Sequence, residues 1–314
     1  MVQAPPRGAP GAASRTAAFT SLAAVAPVTW GTTYLVTTEF LPPDRPLLSG
    51  VLRTLPAGLA VLLLTRTLPR GRWWWRSAVL GLLNIGVFNV LLFVAAYRLP
   101  GGVAATLTSM QPLLVAGMAL ALLGERPTAW RLGWGVAGVA GVALMVLRGN
   151  AAFDLPGVAA GVAAALSMAT GVVLTKRWGR PDGAGLLAFT GWQLTAGGLL
   201  FVPFAAVAEG PLPDMDAAAV GGYLWLGVVG TLVAYALWFQ GVGRLPVAAV
   251  SFLVLLSPVV ATALGWLVLD QPLTLLQTAG FAVAMLSILG AQLTPQAARA
   301  LLGLTPRADA SATR

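Results

Sequence analysis

Ten stretches of about 20 mostly apolar residues, each long enough to cross a lipid bilayer, follow one another with short polar breaks between them. They lie near 17–37, 46–65, 76–97, 102–123, 130–147, 156–175, 184–207, 218–242, 246–269 and 273–293. Only 9% of the 314 residues are charged, against about 25% in a soluble domain. That is too little polar surface to clothe a core in water. The expectation is an all-α integral membrane protein with ten transmembrane helices, in contact with lipid. With no Cys and no His, disulfides, thiolate chemistry, imidazole bases and His–metal sites are excluded together. No cofactor and no metal are expected.

The net charge of +9 is spread between apolar stretches rather than gathered on one face, so it speaks of membrane orientation and not of nucleic acid. With the N-terminus placed inside, only Arg45, Arg98 and Arg148 of the 19 Lys and Arg fall outside, and Arg53 lies within the second stretch. The other basic residues are inside. The positive-inside rule then puts both tails, 1–15 and 294–314, in the cytoplasm of a bacterial cell, with a multi-pass chain in the cytoplasmic membrane. Trp73-Trp74-Trp75 and Trp178 stand beside the inside basic clusters, where indoles favour the headgroup layer.

An internal repeat sharpens the fold. Leu99-Pro100-Gly101-Gly102-Val103-Ala104-Ala105 leads to Pro112 and then Glu125-Arg126-Pro127-Thr128. Later, Leu245-Pro246-Val247-Ala248-Ala249-Val250 leads to Pro258 and then Asp270-Gln271-Pro272-Leu273-Thr274. Each match closes the fourth stretch of a five-stretch unit. Five is odd, so the second unit must enter the membrane from the opposite side, as in inverted-repeat transporters.

At these residues the chain resembles the EamA-type repeat of the drug/metabolite transporter superfamily. The Gly-rich helix with Gly133, Gly135, Gly138 and Gly141 fits, as does the Trp30-Gly31 pair, and Arg53 matches a basic position common in the family. Asp270-Gln271 departs from the usual Gly-Glu. The resemblance implies two inverted five-helix repeats, 16–148 and 156–293. It also implies a central cavity and ATP-independent export or exchange of a small metabolite, as in bacterial amino-acid and metabolite exporters. A monomer is expected. Drug or cation efflux is the alternative, and an intramembrane lipid-modifying enzyme is the competitor from another class. The sequence has no GxSxG, Walker A or HExxH pattern, so no enzyme is expected.

Candidate substrate contacts are Trp30, Arg53, Asn89, Phe93, Tyr97, Met110, Gln111, Trp192, Gln193, Tyr235, Trp238 and Ser257. Asn89, Phe93 and Tyr97 recur every four residues and form one helical stripe, from which Asn84 departs. An aromatic stripe beside amides suits a flat or zwitterionic solute; its alternative is packing. Arg53 has two readings, ion pairing or contact with a substrate carboxylate on one side, and snorkelling to the outer interface or structural hydrogen bonding on the other. Pro112 and Pro258 are gating candidates, because each leaves the carbonyl four residues back without its helical donor. No acid falls at midplane depth, so movement down a gradient is expected rather than proton pumping. Cysteines introduced at positions 12 and 310 should both react with impermeant thiol reagents only from the cytoplasmic side. Labelling of either from outside intact cells would overturn the topology.

Overall fold

The computed structural model describes residues 12–98, 107–146, 154–268, 274–293 and 295. The first copy of the Leu-Pro motif at 99–105, the turn at 270–273 and the tail from 296 lie outside the described residues, as do the side chains of Phe93 and Tyr97. Helices occupy the apolar stretches, and no strand occurs among the described residues. They are α1 (Ala12–Phe40), α2 (Pro46–Thr65), α3 (Trp73–Gly81), α4 (Val87–Arg98), α5 (Gln111–Leu123), α6 (Ala129–Val146), α7 (Leu155–Trp178), α8 (Leu186–Glu209), α9 (Ala217–Leu224), α10 (Ala234–Arg244), α11 (Val247–Ser251), α12 (Leu256–Val268) and α13 (Leu275–Gln292). A π-helical segment, Leu82–Gly86, joins α3 to α4, and a second, Trp225–Val233, joins α9 to α10.

Among the described residues, six segments are long and apolar enough to cross a membrane: Pro46–Thr65, Trp73–Leu92, Leu155–Trp178, Leu186–Glu209, Ala217–Arg244 and Ala249–Val268. Gln111–Leu123, Ala129–Leu144 and Leu275–Ala291 are shorter apolar helices. The first helix begins at Ala12, earlier than the apolar run suggests.

The two halves repeat at a fixed interval. Pro112 recurs 146 residues on as Pro258, and the same step carries α6 onto α13 and the first π segment into the second. Contacts between the halves keep this symmetry. α2 packs on α8 and α6 on α13; α4 packs on α7 as α10 does on α1; α5 packs on α7 as α12 does on α1.

Glycine sets the distance at both seams. A Cβ on Gly58 would stand 2.5 Å from Thr195 Oγ1, one on Gly191 would stand 2.6 Å from Val61 Cγ1, and one on Gly198 would stand 2.8 Å from Leu55 Cβ. As the α2 residue number rises, its α8 partner's falls, so the pair is antiparallel. The α6–α13 seam behaves alike: Gly138 meets Ser287, Gly141 meets Ala284, and Trp134 meets Gly290. Helices at equivalent places in the two halves therefore run in opposite senses, which is the geometry of inverted repeats. Lipid is as apolar as the side chains, so such helices associate by close van der Waals approach rather than by exclusion from water.

Polar contacts hold the two ends of the α2–α8 seam. The N–H groups of Leu47 and Leu48, in the uncapped first turn of α2, donate to the Glu209 carboxylate at 2.6 and 2.8 Å. At the other end Trp192 Nε1 donates to the Thr67 carbonyl at 2.7 Å.

The two prolines act differently from a kink within a continuous helix. Pro112 sits in the first turn of α5, after a tight turn in which Met110 N bonds Leu107 O and Leu113 N bonds Met110 O. Pro258 follows a 3₁₀ stretch, Phe252–Leu255, in the first turn of α12. Each proline withholds one i→i−4 donor, and the backbone answers by tightening to i→i−3 bonds. Gly141→Val should lower the melting temperature in detergent by several degrees, because its Cβ would meet the Ala284 backbone at 2.7 Å. Gly133→Ala, with nothing within 4 Å, should melt like the parent.

Candidate functional site

Each of the two π segments lends a backbone carbonyl to side chains from the opposite half. In a π turn the regular i→i−4 pattern is lost, and local carbonyls become available to side chains. The Gly230 carbonyl accepts from Trp30 Nε1 at 3.0 Å and from the Arg53 guanidinium at 3.4 Å. Arg53 Nε also donates to Thr231 Oγ1 at 3.1 Å. Arg53 is only 5% exposed, so it stays inside the bundle and does not snorkel. Across the interface, the Asn84 carbonyl accepts from the Tyr235 hydroxyl at 3.4 Å. Asn84 Nδ2 donates to Gln193 Oε1 at 2.9 Å and to Thr175 Oγ1 at 3.1 Å. The fixed interval of 146 pairs Asn84 with Gly230 and Asn89 with Tyr235, and the Asn89 side chain interacts with Tyr235. Where symmetry-equivalent residues touch, the pseudo-two-fold axis passes between them. The polar cluster therefore sits on that axis.

Aromatic rings continue the cluster. The Trp30 ring lies 5.2 Å from Tyr235 and 5.4 Å from Trp238; Tyr235 lies 5.7 Å from Phe239, Phe239 lies 6.0 Å from Phe189, and Phe189 lies 5.8 Å from Trp73. Trp30 can reach the centre because Gly31, beside it, lets α1 close on α12: a Cβ there would stand 2.7 Å from the Ser257 carbonyl. Within this cluster two buried polar atoms have no hydrogen-bond partner among the described residues, the donor Trp238 Nε1 and the acceptor Asn84 Oδ1. A narrow crevice of about 10 Å³, roughly room for one water molecule, lies between α2, the first π segment, α4 and α8, with Pro46, Thr54, Asn89 and Phe201 in its lining.

The expected contacts divide. Trp30, Arg53, Asn89, Gln193, Tyr235 and Trp238 meet in this cluster or line the crevice. Trp192 is bonded to the 66–72 connection, Gln111 is buried at the start of α5, and Met110 is 39% exposed. Ser257 lies against α1. Asn84 and the Gly230 carbonyl were missed. A glycine carbonyl leaves no mark in a sequence. Asn84 leaves one, a lone amide in an apolar run, but α-helical periodicity sets it apart from Asn89, and the π segment invalidates that period.

The sequence itself carries the same architecture twice: residues 19–147 and 155–292 each match the EamA-like transporter family. The chain belongs to that family. It is 48% identical to Protein PecM of Dickeya dadantii over 256 residues, 81% of this chain and 86% of that one. A WAT1-related chloroplastic protein of Arabidopsis thaliana is 30% identical over 82% of this chain and 66% of its own length. The uncharacterized inner membrane transporter YedA of Escherichia coli is 29% identical over 76% and 78%. A solved crystal structure shares the fold at a TM-score of 0.77 and 20% identity, covering 90% of this chain and 99% of its own. This EamA-family chain is thus a multi-pass membrane transporter and not an enzyme. Asn84→Leu should destabilise it by about 1 kcal/mol, since Gln193 and Thr175 lose their shared donor in the interior. A denaturation curve equal to the parent's would show that this amide network holds nothing.

Proposed function

We propose that this transporter has ten membrane-spanning helices with both termini cytoplasmic. It exports or exchanges a small zwitterionic or aromatic solute, an amino acid or a close relative, by alternating access without ATP. The observation that carries this reading is the exchange of bonds between the halves at the two π segments, where carbonyls, amides and the neighbouring aromatic rings gather at the repeat interface. Inverted-repeat transporters bind solute at such an interface, where broken helices free backbone groups for the ligand. Arg53 supplies a cation suited to a carboxylate. The rings of Trp30, Tyr235 and Trp238 supply flat apolar surface. Trp238 Nε1 supplies a spare donor. Phe189, Phe239 and Trp73 close one side of the cluster, and the crevice that reaches Asn89 approaches it from another. Pro112 and Pro258, each beside a tightened turn, are suited to bend one helix toward each face.

The test separates binding from turnover. In proteoliposomes offered a panel of radiolabelled amino acids, the parent should equilibrate at least one aromatic member without an imposed pH difference. Trp238→Ala should weaken binding of that solute by roughly 5- to 150-fold, the cost of about 1–3 kcal/mol for a lost aromatic contact. Pro112→Ala and Pro258→Ala should bind normally and turn over more slowly. Normal binding by Trp238→Ala, together with full-speed proline variants, would remove the cluster from the transport path.

A further inference from the structure

Beyond Trp73, at the edge of the central cluster, the chain builds a second aromatic and basic site around Arg76. The guanidinium carbon of Arg76 lies 5.3 Å from the Trp73 ring, 5.6 Å from the Trp75 ring and 5.3 Å from the Trp178 ring. Trp75 and Trp178 meet edge to face at 5.1 Å. Three indoles therefore hold one cation in place by the attraction of their faces for positive charge. Arg76 Nε is buried without a hydrogen-bond acceptor among the described residues. More positive charge stands around it in sequence: Arg66, Arg70 and Arg72 lie on the connection into α3, and Arg177 and Arg180 flank Trp178. Asp182 is the one carboxylate in these two connections. Large apolar side chains lie exposed beside the arginines, with Leu63 at 76%, Leu64 at 81% and Trp74 at 57%.

We infer that this cage is a binding site for an anionic phospholipid, whose headgroup phosphate sits against Arg76 and the neighbouring arginines while its acyl chains lie along Leu63, Leu64 and Trp74. A phosphate oxygen is the kind of acceptor that Arg76 Nε lacks, and charge-assisted bonds from guanidinium to phosphate are the strong kind. The apolar rim selects a lipid over free phosphate, because a soluble anion gains nothing from leucine. A scattered basic surface attracts anionic lipid without preference for any one residue. The indole cage, by contrast, fixes one guanidinium and makes Arg76 specific.

Native mass spectrometry of the detergent-purified protein tests this with phosphatidylglycerol, phosphatidylcholine and inorganic phosphate as probes. The parent should retain phosphatidylglycerol in preference to phosphatidylcholine, and millimolar inorganic phosphate should not displace it. Arg76→Gln should weaken that retention about five-fold, the effect of one lost charge contact of about 1 kcal/mol. Arg72→Gln, at an exposed position that cannot disturb packing, should weaken it in the same direction. Arg131→Gln, a basic residue elsewhere in the chain, should leave it unchanged. Equal retention of the two lipids, displacement by inorganic phosphate, or equal losses for Arg131→Gln and Arg76→Gln would each overturn the site.

Discussion

The close antiparallel approach of equivalent helices is the contact on which the rest of the molecule depends. Inside a bilayer, hydrophobic exclusion cannot drive helices together, so attraction must come from surfaces near enough for dispersion forces to count. α2 against α8 and α6 against α13 achieve this with glycine at Gly58, Gly191, Gly198, Gly138 and Gly141, where any Cβ would overlap the neighbour. Because each seam joins a helix to its own counterpart, it also fixes the axis that relates the two halves. The largest contacts between the halves beyond these seams come in pairs, α4 on α7 with α10 on α1, and α5 on α7 with α12 on α1. The central cluster sits where it does because that axis runs through it.

The π segments show what the symmetry is used for. Breaking the helical bond pattern in lipid is unfavourable unless the released groups find partners. Here they find them in each other's half: Gly230 O takes Trp30 and Arg53, and Asn84 O takes Tyr235. A buried guanidinium is tolerable only with such acceptors, and Arg53 obtains them from a glycine that leaves its carbonyl uncovered. Irregular backbone and buried charge thus stabilise one another. Neither would survive alone at this depth.

Much of this was legible in the sequence, because hydropathy records membrane depth directly and the Pro112–Pro258 interval records the duplication. The on-axis residues Trp30, Arg53, Asn89, Tyr235 and Trp238 were also legible, as polar or aromatic groups that lipid would not tolerate without a purpose. Three things were not. The π segments lie in Leu-Leu-Asn-Ile-Gly and in a Gly- and Val-rich run, with no residue type that marks a change of helical period. Asn84, inside the first of them, was consequently left out of the candidate contacts. Trp192 looked like a site residue but is bonded to a connecting loop, a partner 125 positions away that no local pattern reveals.

The differences between the halves carry information that their likeness does not. Arg98 and Arg244 are equivalent, 146 residues apart, and each ends a helix that packs on the first helix of the opposite half. Arg98 forms an ion pair with Asp154 at 2.7 Å, with the two side chains 51% and 27% exposed. Arg244 instead lies 5.2 Å over the Phe19 ring. An exposed ion pair contributes about 0–1 kcal/mol, and an exposed cation–π contact contributes about 0.5–1 kcal/mol. Different chemistry at the two ends therefore yields nearly the same stabilisation. In the alternating-access cycle proposed above, this near-equality would matter more than the strength of either contact, since a latch stronger by several kcal/mol would trap one state.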